Sequence, residues 1–244
     1  MFRIYHGEGL SAGRIIELSK ETSHYVSKVL RLKTGDKIKV FNEAGEYISS
    51  VISIEKKMVN LKVLTKVNSE GMEPKTDLVV AFGYLKGDKN ELVVQKATEL
   101  GANYIWPIIT ERSVVKIDDN RIRKKEERLK KVCKEATEQS GRLKVPSVKI
   151  IKDLHCFNQQ LKNTDMLLIP WEKECKEQIN LDKLKATKGR IILFIGPEGG
   201  FSYEEINQLS SFQTITLGKR ILRAETAAIS ATSILMYALG ELGG

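Results

Sequence analysis

Five apolar runs in the later part of this 244-residue chain constrain its fold more than any other feature. "DLVVAFG", "YIWPII", "MLLIPW", "RIILFIG" and "FQTITLG" are almost continuously hydrophobic and alternate with stretches of helical character. A strand with one face in water alternates apolar and polar residues, whereas a strand buried on both faces does not. Runs of this kind between helices predict a parallel sheet covered by helical layers, the α/β class. They are far too short to cross a bilayer. In such sheets ligands bind in the crevice at the carboxyl ends of the strands, so the loops that follow the runs are where chemistry is expected.

The first part of the chain reads differently. "DKIKVFN" and "GEYISSVISI" flank the turn residues "NEAG" as a hairpin, "MVNLKVLTKV" adds an alternating strand, and "RIIEL" precedes a short helix at "KETSHYVSKVLRL". The polar stretch "VNSEGMEPKT", 67–76, contains Gly71 and Pro74 and no hydrophobic period, which marks a linker. The expectation is a small β-rich domain over 1–70 followed by an α/β domain over 71–244.

The net charge of +9 is concentrated. Residues 1–70 hold 12 Lys/Arg against 8 Asp/Glu, residues 111–144 hold 12 against 7, and the remainder is neutral. Positive charge gathered into two segments points to a polyanionic partner, with a solvated charged face as the alternative reading. A helix expected over 121–139 turns Ile122, Leu129, Val132, Cys133 and Ala136 toward the core and leaves Arg121, Lys124, Arg128, Lys131 and Lys134 largely away from it. Cys133, Cys156 and Cys175 have no Cys-x-x-Cys spacing, and His6, His24 and His155 are scattered. Neither a disulfide framework nor a metal site is expected. The N-terminus lacks a signal-peptide pattern, and a cytoplasmic setting is expected.

"FIGPEGGFSYEE", 194–205, reads as a strand, a glycine turn and a helix start. Ser202 and Glu205 have the spacing of a capping box, with Phe201 and Ile206 as its hydrophobic staple. Gly196, Gly199 and Gly200 permit close approach of a ligand to the backbone, and Pro197 stiffens the turn. The spacing fits neither a dinucleotide fingerprint nor a P-loop, and Glu198 would repel a polyphosphate. The five residues of "GPEGG" by themselves are equally compatible with a plain strand-to-helix turn. A second stretch, "LGKRILRAETAAISATSILMYAL", 217–239, again places a glycine after an apolar strand, then a basic loop and a helix rich in small residues. Two such loops at neighbouring strand ends would form one composite site.

"GPEGGFSYEE" together with "LGKRILRAETAAISA" strongly resembles the RsmE family, methyltransferases acting on N3 of a uridine in small-subunit ribosomal RNA. "HYVSKVLRLKTGD", "LKGDKNELVVQKATELGA", "ERSVV" and "EATEQSGR" support the resemblance, which spans both parts of the chain. It implies a SPOUT-type α/β domain with a C-terminal trefoil knot, a PUA-like β-barrel before it, a homodimer, and S-adenosylmethionine as cofactor. The implied cofactor contacts are Ile195, Gly196, Pro197, Glu198, Gly199 and Gly200 in the first loop, and Leu217, Gly218, Ile221, Leu222 and Arg223 in the second. A third loop, Ile169, Pro170 and Glu172, matches the family less tightly.

For methyl transfer to uridine N3, the nitrogen must lose its proton, which puts charge on O2 and O4. A fixed cation there would stabilise the anion. Arg223 is the expected cation, with Glu225 as proton acceptor or as a salt-bridge partner that orients it. Arg112, Lys116, Arg121, Arg123, Arg128 and Arg142 are the expected RNA contacts in the second domain, with Arg3 and Arg31 in the first. Two alternatives stand beside this reading: a SPOUT enzyme acting on another RNA atom such as a ribose 2′-hydroxyl, and a non-catalytic rRNA-binding assembly factor. The expected partner is 16S rRNA or the small ribosomal subunit, with no membrane and no metal.

Overall fold

The computed structural model describes residues 1–112, 119–171, 180–209 and 211–243. The chain divides into two compact units, Met1–Glu73 with Thr137–Lys144, and Pro74–Ala136 with Val145–Gly244.

The first unit contains β1 (Arg3–Tyr5), β2 (Ile15–Glu17), α1 (Lys20–His24) running into a π-helical turn over Tyr25–Val29, β3 (Lys37–Asn42), β4 (Gly45–Glu55) and β5 (Met58–Val67). Its sheet has the order β1-β3-β4-β5-β2, with β1 and β3 parallel and the other pairs antiparallel. The expected hairpin is present. Asn42 folds its turn by accepting the Ala44 N–H at 2.9 Å, the local side-chain bond for which Asn is favoured in turns. Alternate strand residues Ile38, Val40, Leu61 and Val63 meet Ile4, Ile16 and Val26 in the core.

The second unit contains β6 (Leu78–Gly83), α2 (Lys89–Glu99), β7 (Tyr104–Ile108), α3 (Asp119–Ser140, whose last turn belongs to the first unit), β8 (Ser147–Val148), α4 (Leu154–Asn158), β9 (Met166–Pro170), α5 (Leu181–Ala186), β10 (Ile191–Ile195), α6 (Tyr203–Asn207), β11 (Gln213–Ile215) and α7 (Ala224–Ala238). The strands form one parallel sheet in the order β11-β9-β10-β6-β7-β8. Each of the five apolar runs became a strand, and β8 adds a two-residue edge. Every residue of the central strands β6 and β10 is buried, because both of their faces are covered. On one face Leu78, Val80, Phe82, Leu193 and Ile195 pack with Val94, Leu129, Cys133, Ala228 and Leu235 from α2, α3 and α7. On the other, Val79, Ala81, Ile192 and Phe194 pack with Phe157, Phe201 and Ile206. The expected stripe of α3 is core: Leu129, Cys133 and Ala136 are buried, with Ile122 and Val132 half-buried against them.

Two expected RNA contacts are internal instead. Arg3 pairs with Glu46, lies 3.5 Å over the Phe41 ring, and donates to the carbonyls of Thr137 (2.8 Å) and Gly141 (3.0 Å). Its guanidinium thereby satisfies carbonyls that the end of α3 leaves open, where a cation also suits the helix dipole. Arg142 is only 3% exposed. It donates to Glu73 at 2.8 Å, and the same carboxylate accepts the backbone N–H groups of Leu143 (2.7 Å) and Lys144 (3.0 Å). An arginine whose donors are consumed within its own unit has little left for phosphate.

No helix among the described residues is long and apolar enough to cross a membrane, and no group of three His, Cys, Asp or Glu among them is arranged to hold a metal ion.

Candidate active site

Because the sheet is parallel, the loops after β6, β7, β9, β10 and β11 leave it along one edge. The loop after β10 is held from several sides. Gly200, with φ of +65°, donates its N–H to Pro197 O at 2.9 Å and closes the turn. The capping box is formed: Ser202 Oγ accepts the Glu205 N–H at 3.0 Å and Glu205 Oε2 accepts the Ser202 N–H at 2.9 Å. Glu205 Oε1 also accepts the Glu111 N–H at 2.9 Å, tying the loop after β7 to the start of α6. Beside it, Arg112 donates to Gly199 O at 3.2 Å. Arg112, expected to touch RNA, is thus a brace for the glycine turn.

Gly83, the last residue of β6, closes against the same turn. A Cβ there would lie 2.6 Å from the nitrogen and Cδ of Pro197, so only glycine lets the strand pass. Gly196 is tighter than its neighbour Gly199: an added Cβ would sit 3.2 Å from the Phe201 ring, against 3.4 Å from Arg112 Cβ at Gly199.

The charge of Glu198 is balanced by α2. Its Oε1 accepts the Lys86 N–H at 3.2 Å and Lys89 Nζ at 3.2 Å. Burial works against the carboxylate, but those hydrogen bonds, its own N–H and the Lys89 ammonium outweigh it and hold its pKa below the ordinary glutamate value. Lys89 Nζ is also 3.6 Å from Glu225 Oε2, an oxygen that is buried and has no hydrogen-bond partner. One ammonium therefore joins the glycine turn to the first turn of α7. Sequence reasoning missed Lys89. It is nonetheless the first residue of α2, a position where the helix dipole disfavours a cation, and that oddity was legible.

The loop before α7 is open by contrast. Gly218 has φ of +100°, and a Cβ there would meet nothing within 4 Å. Ile221, an implied cofactor contact, is 90% exposed, while Leu217 and Leu222 are half-buried. Arg223 stands at the N-cap of α7, exposed, with no side-chain hydrogen bond or ion pair among the described residues. The expected Arg223–Glu225 salt bridge is absent among them, since Glu225 faces Lys89.

From β9 and β10, Ile169 and Ile195 are buried in the two cores and offer the site only backbone. Pro170 is half-buried at the end of β9, followed by Trp171, which is buried and meets Tyr203 edge-on at 5.2 Å between ring centres. Glu172 and Lys116 lie outside the described residues. Of the remaining RNA candidates, Arg121 and Arg31 are exposed, Arg123 pairs with Glu127 at 3.7 Å, and Arg128 pairs with Glu91 at 2.6 Å.

Comparison with known proteins matches residues 72–236 to the family described as RNA methyltransferase domain and residues 18–64 to the RNA methyltransferase PUA domain. The chain is 36% identical over 239 residues to ribosomal RNA small subunit methyltransferase E of Bacillus subtilis, covering 93% of this chain and 91% of that protein. It is 37% identical over 240 residues to the protein of that name from Rickettsia conorii, covering 94% and 92%. Among solved structures it resembles a ribosomal RNA small subunit methyltransferase E from Neisseria gonorrhoeae bound to S-adenosyl methionine, at a TM-score of 0.86, 30% identity and 97% coverage of both chains.

Proposed function

The chain belongs to the ribosomal RNA small subunit methyltransferase E family, and we propose on that premise that it methylates N3 of a uridine in 16S rRNA with S-adenosylmethionine as cofactor. The observation that carries this reading is the joining of two loops by Lys89. The glycine turn after β10 and the Arg223–Glu225 segment after β11 leave the same edge of the sheet, with one ammonium between their carboxylates.

The residues fit the cofactor. The backbone of Gly196–Gly200 and of Leu217–Arg223, with Ile169 and Pro170 at the end of β9, would hold it, and Leu217 and Leu222 supply apolar surface. The neighbouring carboxylates suit a sulfonium cation. When bound, the cofactor supplies an electrophilic methyl group. Arg223, with its planar fork of donors and no competing partner among the described residues, would stabilise the uracil anion at its oxygens. Glu225, oriented by Lys89 at 3.6 Å, would take the N3 proton.

In this reading the domain over 1–70 contributes RNA binding and the domain over 71–244 the chemistry. The chain acts as a cytoplasmic homodimer with a knotted C-terminal segment. The test is to incubate the protein with isotopically labelled S-adenosylmethionine and small subunits or 16S rRNA, digest the RNA, and identify the product by mass spectrometry. Label on N3 of uridine supports the reading. Label on a ribose oxygen or another base moves it to a different RNA methyltransferase, and absence of label with retained RNA binding leaves a pure binder.

A further inference from the structure

All three non-glycine residues with positive φ among the described residues are basic: Arg31 at 55°, Lys56 at 48° and Lys57 at 71°. All three belong to the first unit and are exposed, and none makes a hydrogen bond or ion pair among the described residues. Left-handed backbone is unfavourable for any side chain with a Cβ. When a residue other than glycine adopts it, Asn or Asp is the usual choice.

Lys56 and Lys57 are the two central residues of the β4–β5 hairpin, since Glu55 pairs with Met58. A two-residue turn with both φ positive favours Asn-Gly or Asp-Gly. Both side chains are exposed, so lysine brings the turn no buried contact in return for the strain. Strain kept at an exposed turn without a structural return marks a functional position.

Arg31 lies in the same unit. Leu18 N–H donates to Val59 O at 2.9 Å, and Val59 N–H donates to Ser23 Oγ at 3.1 Å, so α1 is stitched to β5 just beyond the hairpin tip. The π-helical turn continues from α1, and the Leu32 N–H to Val26 O bond at 3.1 Å fixes the segment that holds Arg31. Lys20 and Lys28 are exposed along this helical segment, together with Tyr25, 41% exposed and able to stack on a base.

We propose that the β4–β5 hairpin tip and the segment from Lys20 to Arg31 form an RNA-backbone contact surface, with Lys56, Lys57 and Arg31 held in left-handed backbone to present their charges to phosphates. This rests on the reading of the chain as an rRNA methyltransferase. It replaces the internal Arg3 and Arg142 as the cations that unit offers to RNA.

The test is the double substitution Lys56→Asn with Lys57→Gly, compared with wild type for binding to a 16S rRNA transcript across a salt series. The variant suits the turn better than the native pair, so it folds, and its melting temperature should rise by several degrees. RNA affinity at low salt should fall at least about tenfold. The slope of log Kd against log salt should flatten by roughly 1.4–1.8 for two lost phosphate contacts. Arg31→Gly should flatten it by about half as much. S-adenosylmethionine binding should not change. An unchanged RNA affinity and slope in the more stable variant would overturn the proposal, as would a variant with no gain in melting temperature. Wild-type protein that binds no RNA at any salt would overturn the enzyme reading itself, a separate result.

Discussion

The two loops that meet at Lys89 are built in opposite ways. The turn over Gly196–Ser202 is closed by its own hydrogen bond and a complete capping box, and is pressed by Gly83, Arg112 and the Glu205–Glu111 bond. The loop over Leu217–Arg223 has an open glycine, an isoleucine 90% exposed and an arginine with no partner among the described residues. One loop is finished by the fold. The other has groups whose partners a ligand would supply. Preorganised surface suits recognition of an invariant cofactor, while unpaired donors beside it suit a charge that develops during reaction.

The largest expected effect falls on the open loop. Arg223→Ala should lower the single-turnover methylation rate by roughly 10²–10³, the scale on which removing a preorganised donor acts. S-adenosylmethionine affinity and melting temperature should hardly move. Raising the pH should recover part of the rate by deprotonating more uridine. A variant with the wild-type rate at saturating RNA and cofactor would remove Arg223 from the chemistry.

Next comes the closed loop. Gly83→Ala should cost about 1–3 kcal/mol in denaturant unfolding, because the new methyl must displace Pro197 backbone. Cofactor affinity measured by titration should fall with it. A neutral effect on both would show the turn to be softer than its contacts imply. Ser202→Ala should cost about 1 kcal/mol by removing the cap. In the open loop, by contrast, Ile221→Ser should leave stability within ~0.5 kcal/mol.

The smallest effect on stability is expected at Lys89, and it is read against pH. Glu198 has a folded pKa below its unfolded value, so its stabilisation is fully present above the unfolded value of about 4.3 and is lost as pH falls through the folded one. Lys89→Met removes part of that depression. Its acid unfolding should begin at higher pH than that of wild type, and the two proteins should converge at the most acidic end. Coincident acid-unfolding curves would mean that Lys86 and the backbone hold Glu198 without help.

Much of this arrangement was legible in the chain. Continuous burial of Leu78–Gly83 and Ile191–Ile195 follows from strands covered on both faces, and the Ser202–Glu205 box is a short-range pattern with one structural meaning. Contacts made across sequence distance were not. The fit of Gly83 to Pro197 and the reach of Lys89 to Glu198 and Glu225 require knowing which strand ends become neighbours. Arg3 and Arg142 were misjudged for a related reason: the chemistry that lets arginine grip phosphate equally suits it to gripping carbonyls and a carboxylate inside a fold. Only the partners distinguish the two uses, and for Arg3 those partners lie as far away as Gly141.

That reach sets a schedule. The first unit takes its final piece, Thr137–Lys144, from beyond Pro74–Ala136. A nascent chain that has emerged only to Glu73 holds five strands but neither the carbonyls that Arg3 binds nor the N–H groups that Glu73 receives. At ~5–20 residues per second, synthesis of the intervening segment imposes a wait of roughly 3–13 s before the N-terminal body can close. Through that interval Arg3 has Glu46 and the Phe41 ring but lacks the carbonyls of Thr137 and Gly141, and the earliest part of the protein to be made is not the earliest to be finished.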